Sequence, residues 1–372
     1  MNRPLLAALV LLVVVSFSAC GGGSGSSESG ASSLGKAKFT ITWPARSRLI
    51  PAASNSITVT INQGTTQVAT QTIARPGNGS STATVSFAQL PVATLSATAT
   101  AFPNADGTGT AQATATVPLT IQSNQTTNIT LTMASTIASI SLTAPNTSII
   151  VGQTEALMAT AYNAANSVVL MTPGKLNWKT SNSSFATVDG NGNVTGAGPG
   201  SSIITVTDTE SQKSGTLTIL VPPANYYQYA VNGHWYTAVR LTTLISWDAS
   251  RAAAAGMTFN GWQGHLVTIT SQGENDFVTS HFQGDAQCSY YLGGYQDTSA
   301  PDYSEPAGGW RWVTGEQWGP FIYWAVGEPN DSDGLSNYLN LYPPTTGATA
   351  NHWNDCIDND GHGYGYIVEF EP

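Results

Sequence analysis

The groups from which this chain could build a catalytic or binding site are 22 carboxylates, five histidines and three cysteines, and they are unevenly spread. Residues 222–372 hold 16 of the 22 acids and only three bases, Arg240, Arg251 and Arg311, for a net charge of −13 against +3 elsewhere. Eight of the ten tryptophans fall in the same segment, so a functional site is expected there. His234, His265, His281, His352 and His362 show no metal-ligand spacing, and His265 sits inside a strand pattern. No His-Glu-x-x-His, nucleophile elbow or phosphate-binding loop is present, and no carboxylate pair stands out as a glycosidase couple, so no enzyme is expected. Asp358-Asn359-Asp360-Gly361 lacks the spacing of an EF-hand loop and reads as a solvated turn. With Lys+Arg at 12 and a net charge of −10, nucleic acid is excluded as a general partner, because phosphate neutralisation needs clustered bases.

The elements that would position such a site begin with an exported N-terminus. After Met1-Asn2-Arg3, the apolar run Leu5 to Val15 is too short to span a bilayer comfortably and suits the core of a secretion signal. Ser16-Phe17-Ser18-Ala19-Cys20 resembles a bacterial lipobox. That resemblance implies a signal peptide over 1–19, lipid on the Cys20 thiol and a Gly/Ser tether over 20–35, with membrane attachment through the lipid anchor alone, at the outer membrane if the organism has one. Cys288 and Cys356 then remain; in an oxidising compartment they read as a disulfide or as two separate buried thiols.

At 372 residues, two or three domains are expected. Across 36–135 the chain alternates apolar residues with threonine, as in Phe39-Thr40-Ile41-Thr42-Trp43, Ile57-Thr58-Val59-Thr60-Ile61, Ala83-Thr84-Val85-Ser86-Phe87 and Ile129-Thr130-Leu131-Thr132. Period-two runs broken by Gly, Pro and Asn turns predict a β-sandwich of half-buried strands with no catalytic constellation. Across 136–221 the ordered segments Ile137 to Leu142, Leu176-Asn177-Trp178-Lys179-Thr180, Ala186-Thr187-Val188, Gly192-Asn193-Val194-Thr195-Gly196 and Gly200 to Val206 resemble a group 2 bacterial immunoglobulin-like domain. Trp178 is expected to anchor its core, and Gly192 and Gly196 to serve turns. Two such units in tandem suggest a stalk.

After Pro222-Pro223 the pattern changes. Ser246 followed by Trp247 to Ala255 and Gly256 predicts a capped helix, His265 to Ile269 a strand, and Ser271-Gln272-Gly273-Glu274 a capping box opening a second helix. Tyr290 to Gly294 and Tyr366 to Phe370 predict strands, giving an α+β domain whose chain ends pair. The ordered set of Gly264 to Ile269 with Glu274, Tyr291-Leu292-Gly293-Gly294, Trp312-Val313-Thr314-Gly315-Glu316, Gly327-Glu328-Pro329-Asn330, His352-Trp353-Asn354-Asp355 and the closing strand resembles a C-type lectin-like domain over 222–372. The fold class is thus two all-β immunoglobulin-like sandwiches followed by an α+β C-type lectin-like domain.

The lectin resemblance implies a calcium site made of Glu328, Asn330, Asn354 and Asp355, because a hard cation wants six to eight oxygens and two loops supply them. It also implies a cis peptide at Pro329, and sugar hydroxyls bound by Glu328, Asn330 and Asn354 with a mannose-type preference. The sequence departs from the family at Ser336, where such lectins usually carry a further Glu; Asp331, Asp333 and Ser336 itself are the possible extra metal ligands. The usual cysteine scaffold is altered as well, leaving Cys288 as the available partner of Cys356. Trp310, Trp312 and Trp324 are expected in the core rather than as stacking platforms. Together these imply a surface-anchored, calcium-dependent carbohydrate-binding lipoprotein whose partner is a carbohydrate or glycoconjugate. The alternative is a calcium-independent, protein-binding adhesin with an intimin- or invasin-like layout, whose partner is a surface protein.

Overall fold

The computed structural model describes residues 34–42, 53–77, 82–131, 133–172, 174–283, 289–342, 351–359, 361 and 363–372. Cys20, Trp43, Cys288 and the segment 343–350 lie outside them. Among the described residues no helix is long and apolar enough to cross a membrane.

The N-terminal unit is two packed sheets. One has the strand order Thr66–Ala74, Ser56–Gln63, Thr94–Phe102, Ala113–Thr120, Ala134–Ser135; the other runs Thr82–Pro91, Leu34–Thr42, Thr126–Ile129. Alternation sends Ile57, Val59 and Ile61 fully inside and leaves the threonines between them on the solvent face. Each such apolar side chain contributes roughly 1.5–3 kcal/mol by burial. Phe39 and Phe87 meet edge to face across the core at 5.8 Å. Outside, Thr58 pairs with Thr72 at 2.8 Å and Thr60 with Thr70 at 3.1 Å through their hydroxyls. The first strand starts at Leu34, within the expected tether, because Leu34 already pairs with Pro91. The strand expected at Ile129 to Thr132 is found at Thr126–Ile129, where it pairs in parallel with Lys36 to Phe39.

Three small sheets make up the next unit, around the buried side chains of Val194, Ile204, Val206, Ile219 and Val221. Trp178 departs from its expected role. It is half-buried and packs against this core from the side, with its ring so close to Gly192 that a Cβ there would lie 2.6 Å from Cζ2. Gly192 does occupy a turn with φ +86°, whereas Gly196 does not: it ends strand Asn193–Gly196 where a Cβ would sit 2.6 Å from the Ile150 carbonyl oxygen.

The C-terminal unit holds the two α-helices of the described residues, α1 (Trp247–Ala255) and α2 (Gln272–His281), against a nine-stranded sheet. Ser246 caps α1 by accepting from the Ala249 N–H, and Ser271 caps α2 by accepting from the Glu274 N–H, both at 3.2 Å. Glu274 reaches back past its cap residue to the Thr270 N–H at 2.9 Å, one position beyond the usual box. The chain ends pair: strand Trp235–Arg240 runs antiparallel to the closing strand Gly363–Phe370, which also takes Ser289–Gln296 in parallel. The strand expected at His265 to Ile269 is Trp262–Leu266, because its ladder partners are Val368 to Phe370. From Ser289–Gln296 the sheet continues through Tyr338–Leu341 to Trp353–Cys356, and this last pair carries the candidate site.

Candidate functional site

Trp353 is the anchor. Its ring is fully buried among Trp312, Phe321 and Trp324, each met nearly edge-on at 5.6, 5.7 and 6.1 Å, and its indole N–H donates to Asn275 Oδ1 at 3.1 Å. Its backbone N–H donates to the Tyr323 carbonyl at 2.9 Å, and its own carbonyl accepts from Ala325 N–H at 2.8 Å. The strand that follows is therefore held on both sides: by residues 323–325 and by Tyr338–Leu341, with Asn354 opposite Asn340 and Asp355 opposite Leu339. Trp310 and Trp312 are buried in the same aromatic cluster and Trp324 is half-buried against it, which leaves none of the three as an open platform.

The Glu-Pro-Asn loop is strapped to that strand through Asp355. Asn330 N–H donates to Asp355 Oδ1 at 3.1 Å and Oδ2 at 3.2 Å, and Asp331 N–H donates to Oδ2 at 2.7 Å. Charge-assisted bonds of this kind hold a loop more firmly than neutral ones. The Glu328–Pro329 peptide is cis, as the lectin resemblance implies. Glu328 Oε1 accepts from the Tyr342 hydroxyl at 3.2 Å, while Oε2 is buried with no hydrogen-bond partner among the described residues. Burial, reinforced by the Asp355 carboxylate beside it, pushes the Glu328 carboxyl above its ordinary range. Burial and the Glu328 charge push the Tyr342 phenol up to about 12.

Glu328, Asn330, Asn354 and Asp355 all line one open cleft of about 330 Å³, together with Asp333 and Ser336. Its described lining contains no lysine or arginine. The structure separates the three possible extra ligands. Asp331 is not on the lining; its Oδ1 accepts from the Ser336 N–H at 3.0 Å. Asp333 is on it, and Asp333 Oδ1 accepts from the Ser336 hydroxyl at 2.9 Å and the Leu335 N–H at 3.1 Å. Ser336 is buried and spends its hydroxyl on this loop. Cys356 is buried, with Sγ donating to the Tyr338 carbonyl at 3.3 Å; its expected partner Cys288 is outside the described residues.

Sequence reasoning missed Tyr342. The signal lay in register: Tyr342 N–H donates to the His352 carbonyl at 2.9 Å, so it stands opposite the start of the Trp-Asn-Asp strand. The chemistry of the donor set fits a hard divalent cation. Three carboxylates, Glu328, Asp333 and Asp355, line the cleft without a lysine or arginine among its described lining, one buried Glu328 oxygen has no partner among the described residues, and two amide side chains complete an oxygen-rich rim.

Residues 136–219 match the family model of the bacterial Ig-like domain (group 2). Halomucin of Haloquadratum walsbyi (strain DSM 16790 / HBSQ001) is 31% identical over 154 residues, 38% of this chain, and the chain spans 1% of halomucin's length. Among solved structures, the C-type lectin CEL-I from Cucumaria echinata aligns over 40% of this chain and 96% of its own at 20% identity and a TM-score of 0.31. An intimin mutant from EHEC O157:H7 aligns over 60% of this chain and 87% of its own at 12% identity and a TM-score of 0.20.

Proposed function

We propose that this protein is a surface-anchored, calcium-dependent carbohydrate-binding lipoprotein, held to the membrane by lipid on Cys20, with residues 36–221 as stalk and 222–372 as lectin-like tip. The observation that supports it most is the single cleft lined by Glu328, Asn330, Asn354 and Asp355, in which one Glu328 carboxylate oxygen is buried without a partner among the described residues. Glu328, Asn330, Asn354 and Asp355 would hold the cation. Bound there, calcium supplies coordination positions for two vicinal hydroxyls of a sugar. The chain's own part is to present Glu328 as acceptor and the Asn330 and Asn354 amides as donors to those hydroxyls. Asp355 keeps the loop in place through the Asn330 and Asp331 N–H groups, and Tyr342 holds Glu328 by one oxygen. By the lectin resemblance, the Glu-Pro-Asn order goes with mannose-type sugars. A shallow site of this kind binds one sugar weakly and gains strength from several copies on a surface.

The test is calorimetric titration of calcium into chelator-treated protein, then of mannose into the loaded form. Because Asp355 also straps the loop, Asn354→Ala is the cleaner control. Saturation near one equivalent, lost in Asn354→Ala, is the expected result; no heat from folded protein overturns the calcium reading. A second reading, a calcium-independent protein-binding adhesin, is favoured by the exposed aliphatic residues Ile322, Val326 and Leu335 in and beside this loop, of which Val326 is 84% exposed. Mannose binding that vanishes with chelator decides against it.

A further inference from the structure

Outside the cleft, the C-terminal unit buries a second set of titratable side chains. Glu274 on α2 and Glu369 on the closing strand are 4% and 1% exposed. Between them stands the Tyr236 hydroxyl, 2.6 Å from Glu274 Oε1 and 2.9 Å from Glu369 Oε1. Asn232 Nδ2 donates to that hydroxyl at 2.8 Å, and His234 Nδ1 lies 2.7 Å from Glu369 Oε1. The remaining carboxylate oxygens accept from the Thr268 and Thr270 N–H groups, each at 2.9 Å. The other charged groups facing the set are His265, opposite Glu369 in the ladder, and Glu371, whose Oε1 is 3.3 Å from His265 Nε2.

The hydrogen-bond inventory does not close with both carboxyls ionised. A phenol carries one proton and can give it to one carboxylate, yet both are within bonding distance. The second contact needs a proton supplied from the carboxyl side, so that Glu369 donates to the Tyr236 oxygen while Tyr236 donates to Glu274.

We propose that this cluster retains one proton at neutral pH, shared between Glu369 and His234 and relayed through the Tyr236 hydroxyl to Glu274, and that it works as a pH-dependent latch. The latch ties strand Trp235–Arg240, α2 and the closing strand together, and loss of the proton in alkali loosens the part of the domain that follows the stalk. Burial raises the Glu369 carboxyl, and the hydrogen bond to Glu369 raises the His234 imidazole. Both groups therefore hold protons to higher pH in the folded state than unfolded. The stabilisation is fully present below the ordinary carboxylate range and falls as pH rises through the histidine range.

The experiment is hydrogen exchange of the full chain between pH 6 and 8, corrected for intrinsic rates and read on peptides spanning 235–240 and 363–370. Protection is expected to fall with rising pH, by up to about tenfold per pH unit for one proton, and to lose that slope in Glu369→Gln, which mimics the neutral acid. A flat profile in the natural protein, or an unchanged slope in Glu369→Gln, overturns the latch. Should Glu369→Gln fail to fold, His234→Gln serves instead: it removes the imidazole that opposes protonation of Glu369, so the slope must persist or extend to higher pH, and a flat profile there overturns the latch.

Discussion

The N-terminal sandwich and the C-terminal unit treat polar groups differently. In the N-terminal sandwich, many threonines stand on the solvent face as neutral hydroxyl pairs such as Thr58–Thr72 and Thr98–Thr116, the interior is apolar, and the buried polar side chains are the neutral Ser54, Ser56 and Gln112. In the C-terminal unit, Glu274, Asp355 and Glu369 are all buried, the last two within strands. Burying a carboxylate costs several kcal/mol unless donors or a cation compensate it. The N-terminal sandwich buries no carboxylate among its described residues, and the middle unit buries one, Asp208, whose Oδ2 accepts from the Ser211 N–H at 2.7 Å.

The comparison breaks first at the cores. Trp353→Ala should cost about 3–5 kcal/mol and abolish calcium binding with it, because the ring fixes the strand that carries Asn354 and Asp355; thermal unfolding and calorimetry would show both. Ile57→Ala should cost about 2–5 kcal/mol in the sandwich and leave calcium binding at the tip unchanged, a separation readable in the same two assays. Next in size, Tyr342→Phe removes one hydrogen bond to Glu328, worth about 0.5–1.5 kcal/mol, and should lower calcium affinity by up to about tenfold while the fold persists. The affinity should also depend on pH. Glu328 must be ionised to bind the cation, and its raised carboxyl means that calcium is lost on acidification from a pH above the ordinary carboxylate range; calorimetry across pH checks this. Smallest of all, Thr60→Val on the sandwich face should change stability by no more than about 0.5 kcal/mol, measured by denaturant unfolding. A large loss there would erase the contrast between the two regions.

Much of the architecture was legible in the chain. Period-two alternation at Ile57-Thr58-Val59-Thr60-Ile61 dictates a one-sided strand whatever surrounds it, and Ser246 and Ser271 mark both helix starts because a cap is a contact between residues three apart. That Glu328, Asn330, Asn354 and Asp355 share one cleft was an expectation from the lectin resemblance, which two contiguous tripeptides, Glu-Pro-Asn and Trp-Asn-Asp, were enough to raise. Trp178 was misjudged for the opposite reason: apolar area marks a residue for burial, but whether it lies within or beside a core depends on the strands around it.

What stayed hidden depends on register between distant segments. Tyr342 meets Glu328, Asp331 turns away to the Ser336 N–H, and Tyr236 stands between Glu274 and Glu369 only because particular strands pair at particular offsets. Local sequence carries the periodicity that makes an element and the caps that end it, since those forces act within a few residues. Which polar atoms from separate elements come within 3 Å of one another is decided by packing, where a shift of one residue in a ladder sends every side chain to the other face.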